Sequence, residues 1–399
     1  MNSRVRTALV IGGGIAGPVT AMALQQAGIE ATVHEAHPAG AQDRTGGGLS
    51  LAPNGLDALD LIGLGSLVRP LGRPMTGIVL QDWAGRRLAE FGNPPGVPPM
   101  QFLWRAELYR ALSQEAARRG IRTAYDRRLV GAVQGPDGVT AHFADGSSAE
   151  ADVLIGADGI RSTVRTLIDP NAPDPRYAGL ISFGARVHDP AVASTAGKMP
   201  MSFGKRAFFG YQVFEGHDAV WFANVPRREP TTLAEVRRTA PADWLRQLAD
   251  QFAQDRTPAT ELIRATDPDE LLLVGPMELM PTVPAWSGGR LVLVGDAAHA
   301  PSSSSGQGAS LAIESGIQLA RALRDLPYER AFAAYQGLRR PRVEKIIAAT
   351  TRKNSAKAAG PVGRQLNALA LRIFSRLVRP EKMAWMFEHR IDWSAPVTD

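Results

Sequence analysis

The residues of this chain that could do chemistry fall into three short constellations. The first begins with an apolar run, Ala8-Leu9-Val10-Ile11, that leads into Gly12-Gly13-Gly14-Ile15-Ala16-Gly17-Pro18. A second apolar run then closes on Val33-His34-Glu35, so an acid stands 18 residues beyond Gly17. The pattern Gly12-x-Gly14-x-x-Gly17 between a strand and a helix meets the needs of dinucleotide binding part by part. Gly12 turns the strand into the helix, Gly14 lets the backbone approach a pyrophosphate, and Gly17 allows close helix–sheet packing. The helix start offers unpaired N–H groups to phosphate, and Pro18 falls where its missing N–H costs nothing. Glu35 stands where a carboxylate holds a ribose hydroxyl. Gly12, Gly14, Ala16, Gly17 and Glu35 therefore predict an adenine-dinucleotide site.

The second constellation is Gly156-Ala157-Asp158-Gly159-Ile160-Arg161-Ser162-Thr163-Val164-Arg165, after the apolar run Val153-Leu154-Ile155. The third is Gly295-Asp296-Ala297-Ala298-His299-Ala300-Pro301, followed by Gly306-Gln307-Gly308. His299 reads as a packed, hydrogen-bonded loop histidine rather than an acid–base catalyst. The chain has no cysteine, which excludes disulfides, thiolate catalysis and zinc–sulfur sites. Its 7 histidines are scattered without a pair at ligand spacing, so no metal is expected.

The elements that must position these groups are legible in outline. Residues 1–75 read as strand, helix, strand, a glycine-rich loop at 46–48, and a short helix after Pro53-Asn54. Residues 76–101 read as β-structure ending in a proline cluster. A helix opens at Trp104-Arg105, with Leu108, Leu112 and Ala116 on one face. Strands near 129–134 and 139–143 flank Gly135-Pro136-Asp137-Gly138, a hairpin signal. Between about 170 and 284 the strands turn aromatic and β-branched, broken by one helical stretch near 232–254; this predicts a second, mainly antiparallel sheet. Arg290 to Val294 returns to the first fold as a buried strand. A small-residue helix (Ala312, Gly316, Leu319, Leu323) follows, then a long helix over 328–357. After the break at Gly360-Pro361 a C-terminal helix carries Leu366, Leu369, Ile373, Leu377 and Trp385.

The fold class expected is α/β: a Rossmann-like dinucleotide domain with an inserted, mainly antiparallel β-sheet substrate domain and C-terminal helices. The boundaries expected are 1–75, 102–168 and 285–357 for the first domain, 76–101 and 169–284 for the second, and 358–399 for the helical segment. At 399 residues and 44% hydrophobic content, the chain is long enough for such a core. The formal charge of +6 comes from arginines spread along the sequence, without a basic tract interleaved with aromatics. No nucleic-acid partner is expected. No run approaches membrane-spanning length, and a cytoplasmic location is expected.

Taken in order, the three constellations resemble the single-component FAD-dependent aromatic hydroxylases, the p-hydroxybenzoate hydroxylase-like flavoprotein monooxygenases. Tetracycline-modifying and polyketide-tailoring members are close to this chain in size. The match spans about residues 5–325. The resemblance implies FAD as resident cofactor and NADPH or NADH as a transient one. Asp296 would bond the ribityl chain, and the Gly306–Gly308 segment would face the pyrophosphate and ring. Asp158 would touch both the FAD side and the nicotinamide coenzyme. Arg105 would contact the flavin, Arg44 would stand on the flavin or substrate side, and Leu129 would meet the adenine through its backbone. The chain departs from the family at Ala36, where a basic residue is common, at Ala309-Ser310, where asparagine is usual, and at Glu314-Ser315-Gly316.

The resemblance further implies a cycle in which NAD(P)H reduces FAD, O2 adds at flavin C4a, and the hydroperoxide passes one oxygen atom to an aromatic or polyketide-like small molecule. No side chain has to act as a catalytic nucleophile, because the flavin carries the chemistry. Alternatives on the same scaffold are a Baeyer–Villiger or ring-opening oxygenase, and a reductase of the geranylgeranyl-reductase kind. Candidate pocket walls are Phe183, Phe203, Phe209, Tyr211, Phe222 and Met277. A monomer or a homodimer is compatible with the C-terminal helices.

Overall fold

A computed structural model of the chain describes residues 4–41, 47–216, 218–302, 305–357 and 380–398. The apolar runs form the centre of a six-stranded sheet, in the order Ser287–Gly288, Leu291–Leu293, Val153–Gly156, Thr7–Ile11, Glu30–His34, Thr123–Ala124. The pairings are parallel except for Ser287–Gly288, which is antiparallel to its neighbour. Register is set by apolar partners such as Leu9 against Leu154 and Ile155 against Val292. A strand buried on both faces must be apolar throughout, which is why Val153–Gly156 is buried at every position.

Helices Ala16–Gln26 and Gly308–Asp325 pack on this sheet. They approach closely because their contact residues are small. A Cβ on Gly316 would lie 2.3 Å from the Thr20 hydroxyl oxygen. The Gly308–Asp325 helix is buried on nearly all sides from Ser310 to Leu323, rather than on the single face its small residues suggested. Helix Arg105–Arg118 buries Leu108, Leu112 and Ala116, as its spacing required.

The second sheet has seven strands: Leu271–Leu279, Arg176–His188, Asp218–Pro226, Phe208–Val213, Lys198–Phe203, Gly77–Asp82 and Arg87–Gly92. It is antiparallel apart from the parallel pair Lys198–Phe203 and Gly77–Asp82. Helices Pro241–Phe252 and Ala259–Arg264 cover one face. The expected single helix near 232–254 is two, Leu233–Val236 and Pro241–Phe252, because Pro241 can start a helix but not continue one.

The hairpin at 135–138 closes through the Gly135 N–H donating to the Gly138 carbonyl at 2.8 Å. Helix Tyr328–Lys357 occupies the expected span, and Trp385 sits on the 3₁₀ turn Pro380–Met386. Leu366, Leu369, Ile373 and Leu377 lie outside the described residues. Among the described residues, no helix is long and apolar enough to cross a membrane.

Candidate cofactor site

The turn after Thr7–Ile11 separates glycines required by the fold from one required by something else. Gly12 has φ +109°, and a Cβ there would lie 2.4 Å from the Ala157 carbonyl oxygen. A Cβ on Gly17 would lie 1.9 Å from the Gly12 carbonyl oxygen. The protein's own packing therefore excludes side chains at both positions. At Gly14 the nearest atom to a Cβ would be the Tyr109 hydroxyl, at 3.5 Å. Its bare backbone is not demanded by the chain's own packing.

No side chain caps helix Ala16–Gln26, and among the described residues the Gly14 and Ile15 N–H groups have no acceptor. Helix Gly308–Asp325 likewise lacks a side-chain cap. The two helices run side by side in the same direction, Thr20 against Gly316. Gly295 is wedged between the first turn of one and the second turn of the other, where its Cβ would lie 3.1 Å from that of Ala16 and 3.2 Å from that of Ala312. The two positive helix ends point the same way, offset along the axis by about one turn, roughly 6 Å, an arrangement that can face a pyrophosphate.

Glu35 is buried, and its carboxylate accepts from the Gly13 N–H at 2.6 Å and from the His37 N–H at 2.9 Å. It shapes the glycine turn in addition to any ligand it holds. The Arg127 N–H donates to the Glu35 carbonyl at 2.8 Å and brings the Leu129–Gln134 strand alongside. The Leu129 side chain is buried in the core, which leaves only its backbone for an adenine.

Asp296 lies in the 3₁₀ turn Gly295–Ala297, half-buried in a deep recess. Burial pushes its carboxyl up, and the neighbouring Arg105 pulls it back toward ionisation. Among the described residues nothing hydrogen-bonds this carboxylate, which leaves it open to a hydroxyl from outside the chain. Arg105 opens its helix with the guanidinium 5.3 Å from the Tyr109 ring centre, and its Nε donates to the Tyr109 hydroxyl at 3.0 Å. Burial opposes its charge, but Tyr109 and Asp296 outweigh it and raise its pKa. Gly14, Arg105, Tyr109 and Asp296 thus line one recess. Arg44 lies outside the described residues.

Asp158 is engaged locally. Its carboxylate accepts from the Ser162 hydroxyl and, at 3.1 Å, from the Val164 N–H, which holds the start of helix Thr163–Ile168. Burial pushes its carboxyl up. Arg165, buried, donates to the Ile160 carbonyl at 2.8 Å and the Ala297 carbonyl at 3.2 Å. It ties the Asp158–Gly159 loop to the Asp296 turn.

A buried polar network stands behind the Gly306–Gly308 segment. The Asn54 amide donates to Glu314 at 2.7 Å and to Gln307 at 3.2 Å. Glu314 accepts from Arg339 at 2.6 Å and from Arg342 at 3.0 Å. Burial would push the Glu314 carboxyl up, but the two guanidinium groups outweigh it and hold it down at about 2. Arg342 also donates to the Met386 carbonyl at 2.8 Å, which ties the C-terminal segment to the network. His299 Nε2 lies 2.9 Å from the Ser315 hydroxyl, and burial lowers its pKa to about 3. It stays neutral near pH 7, as a packed loop histidine should. Gly306 has φ +63°, and a Cβ there would lie 2.9 Å from Met100 Cε, so this loop abuts the aromatic face of the second sheet.

That face corrects half of the pocket expectation. Phe183, Phe209 and Tyr211 pack into the core beneath Pro241–Phe252, with Trp221 and Phe252. Strand alternation sends them away from the cofactor domain. Phe222 is on the opposite face, clustered with Met75, Phe102 and Met201. Phe203 reaches it through Phe208, at ring-centre distances of 5.2 and 6.1 Å. Met277 is half-buried on Leu271–Leu279. Sequence reasoning missed Tyr109, although its spacing four residues after Arg105 on a helix was a usable signal. It also missed Asn54, Arg339 and Arg342, and it gave Arg165, inside the second constellation, no role; nothing in the spacing marks these arginines as buried.

Residues 5–350 match a family described as FAD binding domain. The chain is 29% identical over 393 residues to an aurachin C monooxygenase/isomerase of Stigmatella aurantiaca, covering 97% of this chain and 96% of that protein. It is 33% identical over 365 residues to a 3-amino-4-hydroxybenzoate 2-monooxygenase of Streptomyces platensis, covering 86% of each. Among solved structures, a variant of Klebsiella pneumoniae HpxO complexed with FAD superposes with a TM-score of 0.82 at 25% identity, over 96% of this chain and 98% of that one.

Proposed function

The chain belongs to the FAD-binding-domain family of flavoprotein monooxygenases, and from that premise we propose that it uses NAD(P)H and O2 to insert one oxygen atom into a planar aromatic small molecule. FAD is its cofactor. The observation that carries the reading is the recess where two uncapped helix ends point the same way beside Asp296, a carboxylate that faces Arg105 but has no hydrogen-bond partner among the described residues, and that opens toward an aromatic sheet face.

Bound FAD would supply the redox chemistry, hydride acceptance from NAD(P)H and activation of O2. One oxygen atom replaces a substrate hydrogen as hydroxyl, and the other leaves as water. The protein's residues bind, orient and shield. The Gly14–Ala16 and Gly308 backbone would hold the pyrophosphate, Glu35 a ribose hydroxyl, and Asp296 the ribityl chain. Arg105 would counter negative charge on the cofactor, and the Leu129 backbone would lie along the adenine. The Gly306–Gly308 N–H groups at a helix start would favour negative charge on the reduced ring. Residues 1–75, 102–168 and 285–357 would form the cofactor domain, with 76–101 and 169–284 as the substrate domain. The second sheet's Phe203 and Phe222 would exclude water from the reacting edge.

The test is turnover under ¹⁸O2 with a panel of planar aromatics, following NAD(P)H consumption and product mass. The reading expects one labelled atom per product molecule and one NAD(P)H per label. A product without label, or reduction of the substrate without oxygen uptake, would move the protein to the reductase class.

A further inference from the structure

Of the three residues Gly306-Gln307-Gly308, only Gln307 has a side chain with which to anchor the loop. That side chain is fully buried, and its Oε1 accepts from the Asn54 amide at 3.2 Å. The contact is half of a bridge. The same amide nitrogen donates to Glu314 at 2.7 Å, seven residues beyond Gln307 and so about two helical turns further along the same face. Asn54 is itself held in place. Pro53 starts its helix, a Cβ on Gly55 would lie 2.6 Å from the Ser310 hydroxyl oxygen, and the Ala52 N–H donates to that oxygen at 3.0 Å.

The orientation of both amides follows from one charge. Glu314, between Arg339 and Arg342, is ionised near pH 7 and can only accept, so Asn54 must turn its NH2 group toward it. The second hydrogen of that group goes to the Gln307 oxygen, which leaves Gln307 Nε2 buried without an acceptor among the described residues. Turning Gln307 over would set two NH2 groups against each other, so Asn54 holds the amide in this one orientation. We propose that Asn54 is a positioning residue for the flavin-side loop: it takes its place from Glu314 and fixes Gln307, and through Gln307 the N–H groups of Gly306–Gly308. The inference rests on the reading that this loop faces the reduced ring and favours its negative charge.

The test compares the FAD-loaded full chain with Asn54→Ala, Gln307→Met and the double variant, by dye-equilibrated reduction of the flavin and by melting of the FAD-free proteins. Each single variant favours reduced over oxidised FAD about tenfold less, the scale of one charge-assisted hydrogen bond. For a two-electron couple this lowers the potential by about 30 mV. The double variant shifts no further than either single one, because both remove the same bridge. If Asn54→Ala does not fold, Gln307→Met, which keeps the length but not the acceptor, carries the test alone. An unchanged potential with a lowered melting temperature, or shifts that add in the double variant, would overturn the assignment. Gly306→Ala, strained by its positive φ and its approach to Met100, perturbs the loop directly. A potential moved by Gly306→Ala but by neither bridge variant refutes Asn54 alone, whereas a potential moved by none of them refutes the loop's assigned place as well. The potential is read without O2 or substrate, so the outcome of the oxygen-insertion test leaves this one intact.

Discussion

Replacing Glu35 separates two roles that the structure superimposes on one carboxylate. In the protein alone it accepts from the Gly13 N–H at 2.6 Å and the His37 N–H at 2.9 Å. Hydrogen bonds to a charged group contribute about 1.5–3 kcal/mol each. Taking the lower figure for each, Glu35→Ala should cost the FAD-free protein about 3 kcal/mol. At roughly 2 °C per kcal/mol for a chain of this size, the melting temperature of FAD-free protein should fall by about 6 °C. The ribose contact adds a second loss, at least about tenfold in the FAD dissociation constant. Differential scanning calorimetry of deflavinated protein and a flavin fluorescence titration read the two separately. Glu35→Gln keeps one acceptor oxygen and should fall between. An unchanged melting temperature would refute the structural role. An unchanged dissociation constant would refute the cofactor role.

Other perturbations follow from the same geometry. Gly17→Ala places a Cβ 1.9 Å from the Gly12 carbonyl and should yield misfolded protein, whereas Gly14→Ala, 3.5 Å from its nearest neighbour, should fold normally yet lose FAD; circular dichroism and flavin content distinguish them. Glu314→Ala strands the Arg339 and Arg342 charges in the core and should cost about 3–5 kcal/mol in urea unfolding, far more than removal of a surface pair. Burial lowers the pKa of His34 to about 4, of His299 to about 3 and of His389 to about 4, each from 6.5. Below pH 6.5 the unfolded chain takes up protons that the folded chain refuses until about pH 4, so stability is full above 6.5 and falls with pH. His299, buried on all sides, should by itself give a slope of about 1.4 kcal/mol per pH unit near pH 5, with smaller, water-screened shares from His34 and His389. A flat stability profile between pH 7 and 5 would refute it.

What the sequence revealed and what it hid have separate physical causes. Gly12, Gly14, Gly17 and Glu35 lie within one strand–helix–strand unit, so spacing alone prefigures their convergence. Asp296 was singled out through the family resemblance, and the buried strand Leu291–Leu293 carries it to the same edge of the sheet. The pocket walls were not. Both faces of the second sheet are covered, by helices on one side and the Phe102 cluster on the other. Adjacent residues such as Phe208 and Phe209 are therefore both apolar and both buried, and the alternation that would assign Phe183, Phe209 and Tyr211 to the core is erased. The Glu314–Arg339–Arg342 network was hidden for a different reason: charges at helical spacing look solvated until another element covers them.

The most direct test of the account is to photoreduce the FAD-loaded protein without oxygen, mix it rapidly with O2 and follow the flavin absorbance. A monooxygenase should give a transient species, distinct from both reduced and oxidised flavin, before the oxidised spectrum returns, with a longer lifetime when an aromatic is bound. A single-phase return to oxidised flavin, with and without aromatics, would contradict it.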